Sequence, residues 1–366
     1  MTLRHEIRDW LESALSGEFA HARGLGGPGR EHEGHDVRHA WERHLGRAGW
    51  TCLAWPKEYG GRDASLEDQI AFHEEYAKAD APARVGHIGE GLIGPTILDF
   101  GTREQKDRFL PPIRRGDELW CQGYSEPEAG SDLANVQTRA VLDGDAWVVT
   151  GQKVWTSLAH VADWCFVLCR TEEGSQRHRG LSYLLVPMRQ AGVEVRPIRQ
   201  LTGTAEFNEV FFDGARTAKD NILGAPGEGW KVAMATLGHE RGASTLGQQI
   251  GFQRELAKVV AAARRTGALD DPLIRDELAR SWLELRIMRF NALRPGAEPS
   301  VAKLYWSQWH QRLGELAQAV LGKEGLVGEL GDLQRLYLFS RADTIYAGSS
   351  EIQRTIIAER TLGLPK

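Results

Sequence analysis

The hydrophobic pattern of this 366-residue chain changes period twice, and that limits the fold more than any single motif does. In the first hundred residues, apolar positions recur at helical spacing, as in Leu3, Ile7, Trp10, Leu11, Ala14 and Leu15. Val37, Trp41, Leu45 and Ala48 repeat the pattern. Ser65 followed by Glu67 predicts a capped helix to Ala79, and Thr102-Arg103-Glu104-Gln105 predicts another capped start. From about 118 to 226 the pattern shortens to strand-like runs. Ala146-Trp147-Val148-Val149, Trp164 to Leu168, Leu181 to Val186 and Val210-Phe211-Phe212 are separated by turn signals such as Asp143-Gly144. From Gly227 the helical period returns, over roughly 230–265, 271–294, 300–321 and 333–343. The linker from Arg294 to Pro299 puts Ser300 at an expected N-cap. The expected architecture is therefore α+β and multidomain. It has a helical N-terminal domain (1–117), an all-β domain (118–226) and a C-terminal helical bundle (227–366).

Composition excludes some function classes. Lys plus Arg is 45 and Asp plus Glu is 50, a net charge of −5, which argues against a nucleic-acid binder. No apolar run approaches the roughly 18 residues of a membrane span. The charged start MTLRHEIRDWLESAL is unlike a targeting segment, and Cys52, Cys121, Cys165 and Cys169 lack CxxC spacing. A reduced, cytoplasmic protein is expected.

Several stretches carry residues capable of chemistry. Gly24 to Gly29 matches GxGxxG, but no strand precedes it and Pro28 sits inside the turn, so a flexible surface loop is expected. His32, His35, His39 and His44 offer no third ligand at a familiar spacing; a solvated polar segment is expected, and no metal. Cys165 and Cys169 read as one face of a strand, in the core. Tyr124 to Asp132 collects hydroxyls and small residues between helix and strand, which suits either a polar turn or a ligand loop. Trp155, at a strand end, is either core or cover for a planar ring. Glu240, in a long helical pattern, is either half of a surface pair with Arg241 or a buried general base.

Taken in order, five stretches resemble the acyl-CoA dehydrogenase family. They are Trp120 to Asp132 (WCQGYSEPEAGSD), Gly151 to Ser157 with Ala162-Asp163, Phe207 to Phe212, Gly227 to Arg241, and Ile345 to Arg354. The resemblance runs from about residue 40 to the end. It implies a helical N-terminal domain, a central β-barrel-like domain and a C-terminal four-helix bundle. It implies FAD, lying between the β-domain and the bundle and reaching a neighbouring subunit. Gln122, Tyr124 and Ser125 match the segment beside the isoalloxazine ring, and Ser131 the flavin and pantetheine entrance. Trp155 and Ser157 match residues on the ring's other side, and Ser349 and Glu351 residues near the adenine-diphosphate portion. The implied reaction belongs to lipid metabolism and fatty-acid β-oxidation. It is α,β-dehydrogenation of an acyl-CoA thioester to the trans-2-enoyl product, with the β-hydride passing to flavin N5 and electrons to an electron-transferring flavoprotein.

Two departures from the family matter. Most members carry the base in a YEG motif, whereas this chain reads Tyr346-Ala347-Gly348. A minority carry it on a bundle helix at the position of Glu240, which becomes the expected base. Arg241 and Ser131 are assigned to the substrate, and the Ala347 backbone N–H to the thioester oxygen. The family's Gln-x-x-Gly-Gly stretch is replaced by Ala319 to Lys323, and the turn at Arg264 to Gly267 is altered. A homotetramer or a heterotetramer, each a dimer of dimers, is compatible. The motif wording resembles the branch acting on bulky and sterol-type CoA thioesters. Two other readings stay open: oxidation of a carrier-protein acyl or aminoacyl thioester, and a partner subunit completing a neighbour's FAD site.

Overall fold

A computed structural model describes residues 2–239, 244–294, 296–327 and 329–365. The chain divides into two compact units, one of residues 1–200 and 204–242 and the other of residues 201–203 and 243–366.

The first unit opens with helices α1 (Leu3–Ala14), α2 (His35–Arg47), α3 (Leu66–Lys78), α4 (Gly94–Phe100) and α5 (Arg103–Arg115). Two of the expected caps form. The Ser65 hydroxyl accepts from the Asp68 N–H, and Thr102 and Gln105 make a reciprocal capping box. The strands are β1 (Trp120–Gly123), β2 (Arg139–Asp143), β3 (Ala146–Ser157), β4 (Trp164–Arg170), β5 (Leu181–Pro187), β6 (Val193–Ile198) and β7 (Phe207–Ala218). They make one sheet in the order β1-β4-β2-β3-β7-β6, with β5 paired to β4. β1 runs parallel to β4, and the long β3 and β7 are antiparallel. β4 and β5 are buried along nearly their whole length, because the sheet is covered on both faces. On one face Phe166, Leu168, Tyr183 and Leu185 pack with Ile93, Ile97, Phe109 and Val232 of the helices. On the other lie Cys121, Cys165, Val167, Cys169, Val186 and Phe212. The sheet is followed by α6 (Gly229–His239). A Cβ on Gly229 would fall 2.5 Å from the Ser182 backbone, so only glycine lets this helix start against β5.

Two expectations change. The glycine turn at 24–29 is pinned, not loose. Gly24 N–H donates to Asp80 O at 2.8 Å and Ala83 N–H to Leu25 O at 2.9 Å. The buried Arg38 guanidinium ties Glu31 O (2.7 Å) to Ala83 O (2.8 Å). Nor is His44 fully solvated: its partly buried ring stacks at 5.3 Å on Trp10 and 5.8 Å from Trp41, because an imidazole ring packs as an aromatic plate.

The second unit holds α7 (Ser244–Thr266), α8 (Pro272–Ala292), α9 (Pro299–Leu321), α10 (Asp332–Ser340) and α11 (Ser350–Ile356). Phe252, Leu256, Val259, Leu285, Trp309, Leu313 and Leu336 form its core. The cap of α9 is Glu298, not Ser300: its carboxylate accepts the Ser300 N–H, and Pro299 takes the first helical position. Proline lacks the N–H that position would leave unpaired, so the helix starts one residue earlier than the serine suggests. Helix α10 ends at Ser340, and the chain then turns through residues 341–349. Among the described residues no helix is long and apolar enough to cross a membrane, and no group of three or more His, Cys, Asp or Glu is arranged to hold a metal.

Candidate active site

The loop after β1 is shaped by a buried ion pair that sequence reasoning missed. Lys153 of β3 is fully buried, and its Nζ lies 2.7 Å from Glu126 Oε1. The same ammonium donates to Tyr124 O at 3.0 Å and Leu168 O at 2.7 Å. Glu126 also accepts the N–H groups of Gln137 (2.5 Å) and Thr138 (2.9 Å). Burial alone would raise the Glu126 carboxyl, yet the Lys153 charge and the Gln137 N–H hold it below its usual range. Burial pulls Lys153 down, with Glu126 opposing. The contacts to Tyr124, Glu126, Gln137 and Thr138 bend residues 124–138 back onto β3, while the Leu168 contact ties β3 to β4. Val154 N–H then donates to Ser125 O at 2.9 Å, which brings the Ser125 segment beside the strand that carries Trp155 and Ser157.

The residues of that segment separate by side chain. Gln122 and Ser125 are partly buried, and Ser131 is exposed. Tyr124 is buried, with its hydroxyl 3.3 Å from that of Tyr183, so its ring belongs to the core and its backbone to the loop.

The end of β3 is irregular. The register against β7 shifts between Lys153 and Thr156, and Trp155 adopts a left-handed φ of 60°. That conformation costs a non-glycine residue roughly 1–2 kcal/mol. Its indole is 57% exposed and touches Phe207 edge-on at 6.2 Å. Ser157, two residues on, is partly buried. Neighbouring groups brace this strand end: Asn208 Nδ2 donates to Thr156 O at 3.0 Å, and Leu158 N–H to Glu206 O at 3.0 Å. Glu206 meets Glu31 from the pinned glycine turn, and burial with this contact pushes the Glu31 carboxyl up to about 9.

In the second unit the turn after α10 carries the other predicted residues. Ala347 has a left-handed φ of 51° and Gly348 one of 88°. Gln353 is fully buried and donates from Nε2 to Ala347 O (3.1 Å) and Gly348 O (3.3 Å). Among the described residues the Ala347 N–H donates to no protein acceptor. The Ser349 hydroxyl accepts the Ile352 N–H and caps α11. Glu351 is exposed, and its own N–H and the Ser349 hydroxyl hold its carboxyl low. Among the described residues, Gln353 Oε1 and Ser350 Oγ are buried polar atoms without a partner. Glu240 and Arg241, the expected base and its neighbour, lie outside the described residues.

Two predicted site residues, Trp155 and Ala347, are thus among the few non-glycine residues with left-handed backbones, and strain of that kind collects at ligand sites. Profiles of the acyl-CoA dehydrogenase N-terminal, middle and C-terminal domains match residues 2–117, 121–215 and 227–362. The chain belongs to the acyl-CoA dehydrogenase family. Members are flavoproteins and oxidoreductases acting on acyl-CoA, with the three-domain architecture described above. Acyl-CoA dehydrogenase IpdE1 of Mycobacterium tuberculosis is 62% identical over 375 residues, spanning 99% of this chain and 97% of that one. Among solved structures, the Tcur3481-Tcur3483 steroid ACAD superposes with a TM-score of 0.84 at 31% identity, covering 100% of this chain and 97% of that one. The ChsE4-ChsE5 complex from Mycobacterium tuberculosis does so at 0.83 and 31%, with the same coverage.

The residues present fit a flavin. A held, solvent-facing indole at the end of β3 offers a plate for a planar ring. In the second unit, considered by itself, Ser350 Oγ and Gln353 Oε1 have no partner among the described residues and are polar groups of the kind a bound cofactor takes.

Proposed function

We propose that this chain is an FAD-dependent dehydrogenase of a bulky, steroid-type acyl-CoA, forming the trans-2-enoyl-CoA. The single observation that carries the reading is the strained, exposed Trp155 beside the Ser125 loop. The names of the two structural neighbours, a steroid ACAD and a two-component complex, support the bulky substrate and a heteromeric assembly. The three domains would be 1–117, 118–226 and 227–366.

In the first unit, Gln122, the Tyr124 backbone, Ser125, Ser131, Trp155 and Ser157 would hold FAD; in the second, Ser349 and Glu351 would. When bound, FAD supplies the two-electron acceptor for the β-hydride. Glu240 takes the proton from the α-carbon. The Ala347 N–H donates to the thioester oxygen, where negative charge grows as that proton leaves. Arg241 and Ser131 would position the acyl-CoA. An electron-transferring flavoprotein would take up the electrons afterwards.

The test is anaerobic mixing of the FAD-loaded protein with a steroid-side-chain CoA thioester while flavin absorbance is followed. A positioned base contributes about 10²–10⁴-fold, so Glu240→Gln is expected to slow bleaching by at least about 100-fold. Bleaching at the wild-type rate would show that Glu240 is not the base.

A further inference from the structure

One buried polar cluster in the second unit has no part in the proposed chemistry, yet it sits directly behind the Ala347 turn. His310 of α9 is 3% exposed. Its Nδ1 lies 2.5 Å from Asp343 Oδ2 and its Nε2 lies 2.8 Å from Glu255 Oε2 of α7. A neutral imidazole has one N–H and would turn a lone pair toward one of these carboxylates, so the geometry calls for the doubly protonated ring. Asp343 is held at two further atoms. Tyr346 donates its hydroxyl to Oδ1 at 2.7 Å, and the Lys303 ammonium donates to the Asp343 carbonyl. Lys303 also lies over the rings of Trp306 (4.4 Å) and Tyr346 (4.6 Å). The next residue, Thr344, is tied as well: its hydroxyl accepts from Gln311 Nε2 at 2.9 Å and its carbonyl accepts the Ser350 N–H at 3.0 Å. The turn is thus fastened on both sides of Ala347.

Lys303, His310 and Asp343 are buried while Glu255 is partly exposed; burying three charges in a helical bundle is costly, and an apolar core would be cheaper where only stability is needed. What the cluster adds is a fixed position for an irregular segment that has no sheet or helix of its own. We propose that His310 is a positioning residue, whose imidazolium, clamped between Glu255 and Asp343, fixes the 343–348 turn so that the Ala347 N–H points at the thioester oxygen. This rests on the role proposed above for Ala347.

The groups facing His310 set its pH dependence. They are Glu255 from α7 and Asp343 from the turn, with Tyr346 and, on its own helix, Lys303 bound to Asp343. Burial lowers the imidazole, but Glu255 and Asp343 outweigh it and push it up to about 9. The folded value exceeds the free value, so the clamp is intact below the free value and is lost as pH rises through about 9.

The experiment uses the full-length FAD-loaded protein, with His310→Gln and, as a milder variant, Tyr346→Phe. Amide exchange in peptides covering 342–350 is expected to quicken about tenfold or more in His310→Gln and less in Tyr346→Phe, with α8 peptides unchanged. Turnover should show kcat reduced about tenfold or more, because small misplacements of a donor are costly, at a KM near wild type. The wild-type kcat should fall through about pH 9, and His310→Gln should lack that limb. Unchanged exchange in the turn, or faster exchange spread evenly over the bundle, would overturn the proposal, as would a wild-type kcat and pH profile in His310→Gln. The exchange arm needs no substrate. A turn that loosens in a protein oxidising no acyl thioester would leave the clamp standing and remove the functional role of Ala347.

Discussion

Replacing Lys153 with methionine keeps most of the side-chain volume and removes one charge. The Glu126 carboxylate, 6% exposed, would then keep only its contacts to the Gln137 and Thr138 N–H groups. The Tyr124 and Leu168 carbonyls would each lose a donor. Leaving one partner of a buried pair uncompensated costs about 3–5 kcal/mol. In a unit of this size, each kcal/mol lowers Tm by about 2–4 °C, so a drop of about 6–20 °C is expected. The double variant Lys153→Met with Glu126→Gln removes both charges and should be less damaged than the sum of the single variants, by about 1–3 kcal/mol. Urea unfolding followed by tryptophan fluorescence measures these differences, and flavin absorbance after gel filtration reports the loop. Lys153→Met should shed FAD, because residues 124–138 lose their anchor on β3. A cost below about 1 kcal/mol, or strict additivity in the double variant, would refute the reasoning, since surface pairs behave that way and buried pairs do not.

Two further outcomes follow from the same geometry. Trp155→Gly relieves a left-handed backbone and is expected to leave stability unchanged or raise it by about 1 kcal/mol while FAD retention falls; full retention after gel filtration would remove Trp155 from the site. Glu31 keeps its proton in the folded state up to about 9 but releases it in the unfolded chain near its ordinary 4.5. Wild-type stability should therefore decline as pH rises between those values, and Glu31→Gln should flatten the decline; parallel Tm–pH curves for the two proteins would refute it.

The legible parts of this fold share a cause. Period 3.6 and period 2 patterns depend only on which face of a local element meets apolar neighbours, so the helix–sheet–helix order is readable along the chain. Ser65 and Thr102 were readable for the same reason, since a cap is an interaction over three residues. Ser300 misled because the proline beside it changed which residue comes first in the helix. The buried reading of Cys165 and Cys169 also followed from strand alternation, which sets them on one covered face. The motifs that name the family were equally local: each is a short run in a fixed order, and the strained Trp155 and Ala347 fall inside two of them.

What stayed hidden are the polar partnerships made at a distance. Lys153 finds Glu126 across 27 positions, and His310 finds Asp343 across 33 and Glu255 across 55. By type, lysine and glutamate belong on the surface, and a histidine on a helix carries no signal of two waiting carboxylates. Only when β3 lies under the loop, or α9 between α7 and the turn, does water leave, and the pairing then becomes obligatory. By itself the sequence determined the order of elements, the caps at Ser65 and Thr102, the family and the candidate chemistry, because these are written in short-range patterns. Tertiary structure alone decided which charges are buried, which turns are held, and which backbone groups remain free to act, because burial is a property of neighbours that the chain meets only after it folds.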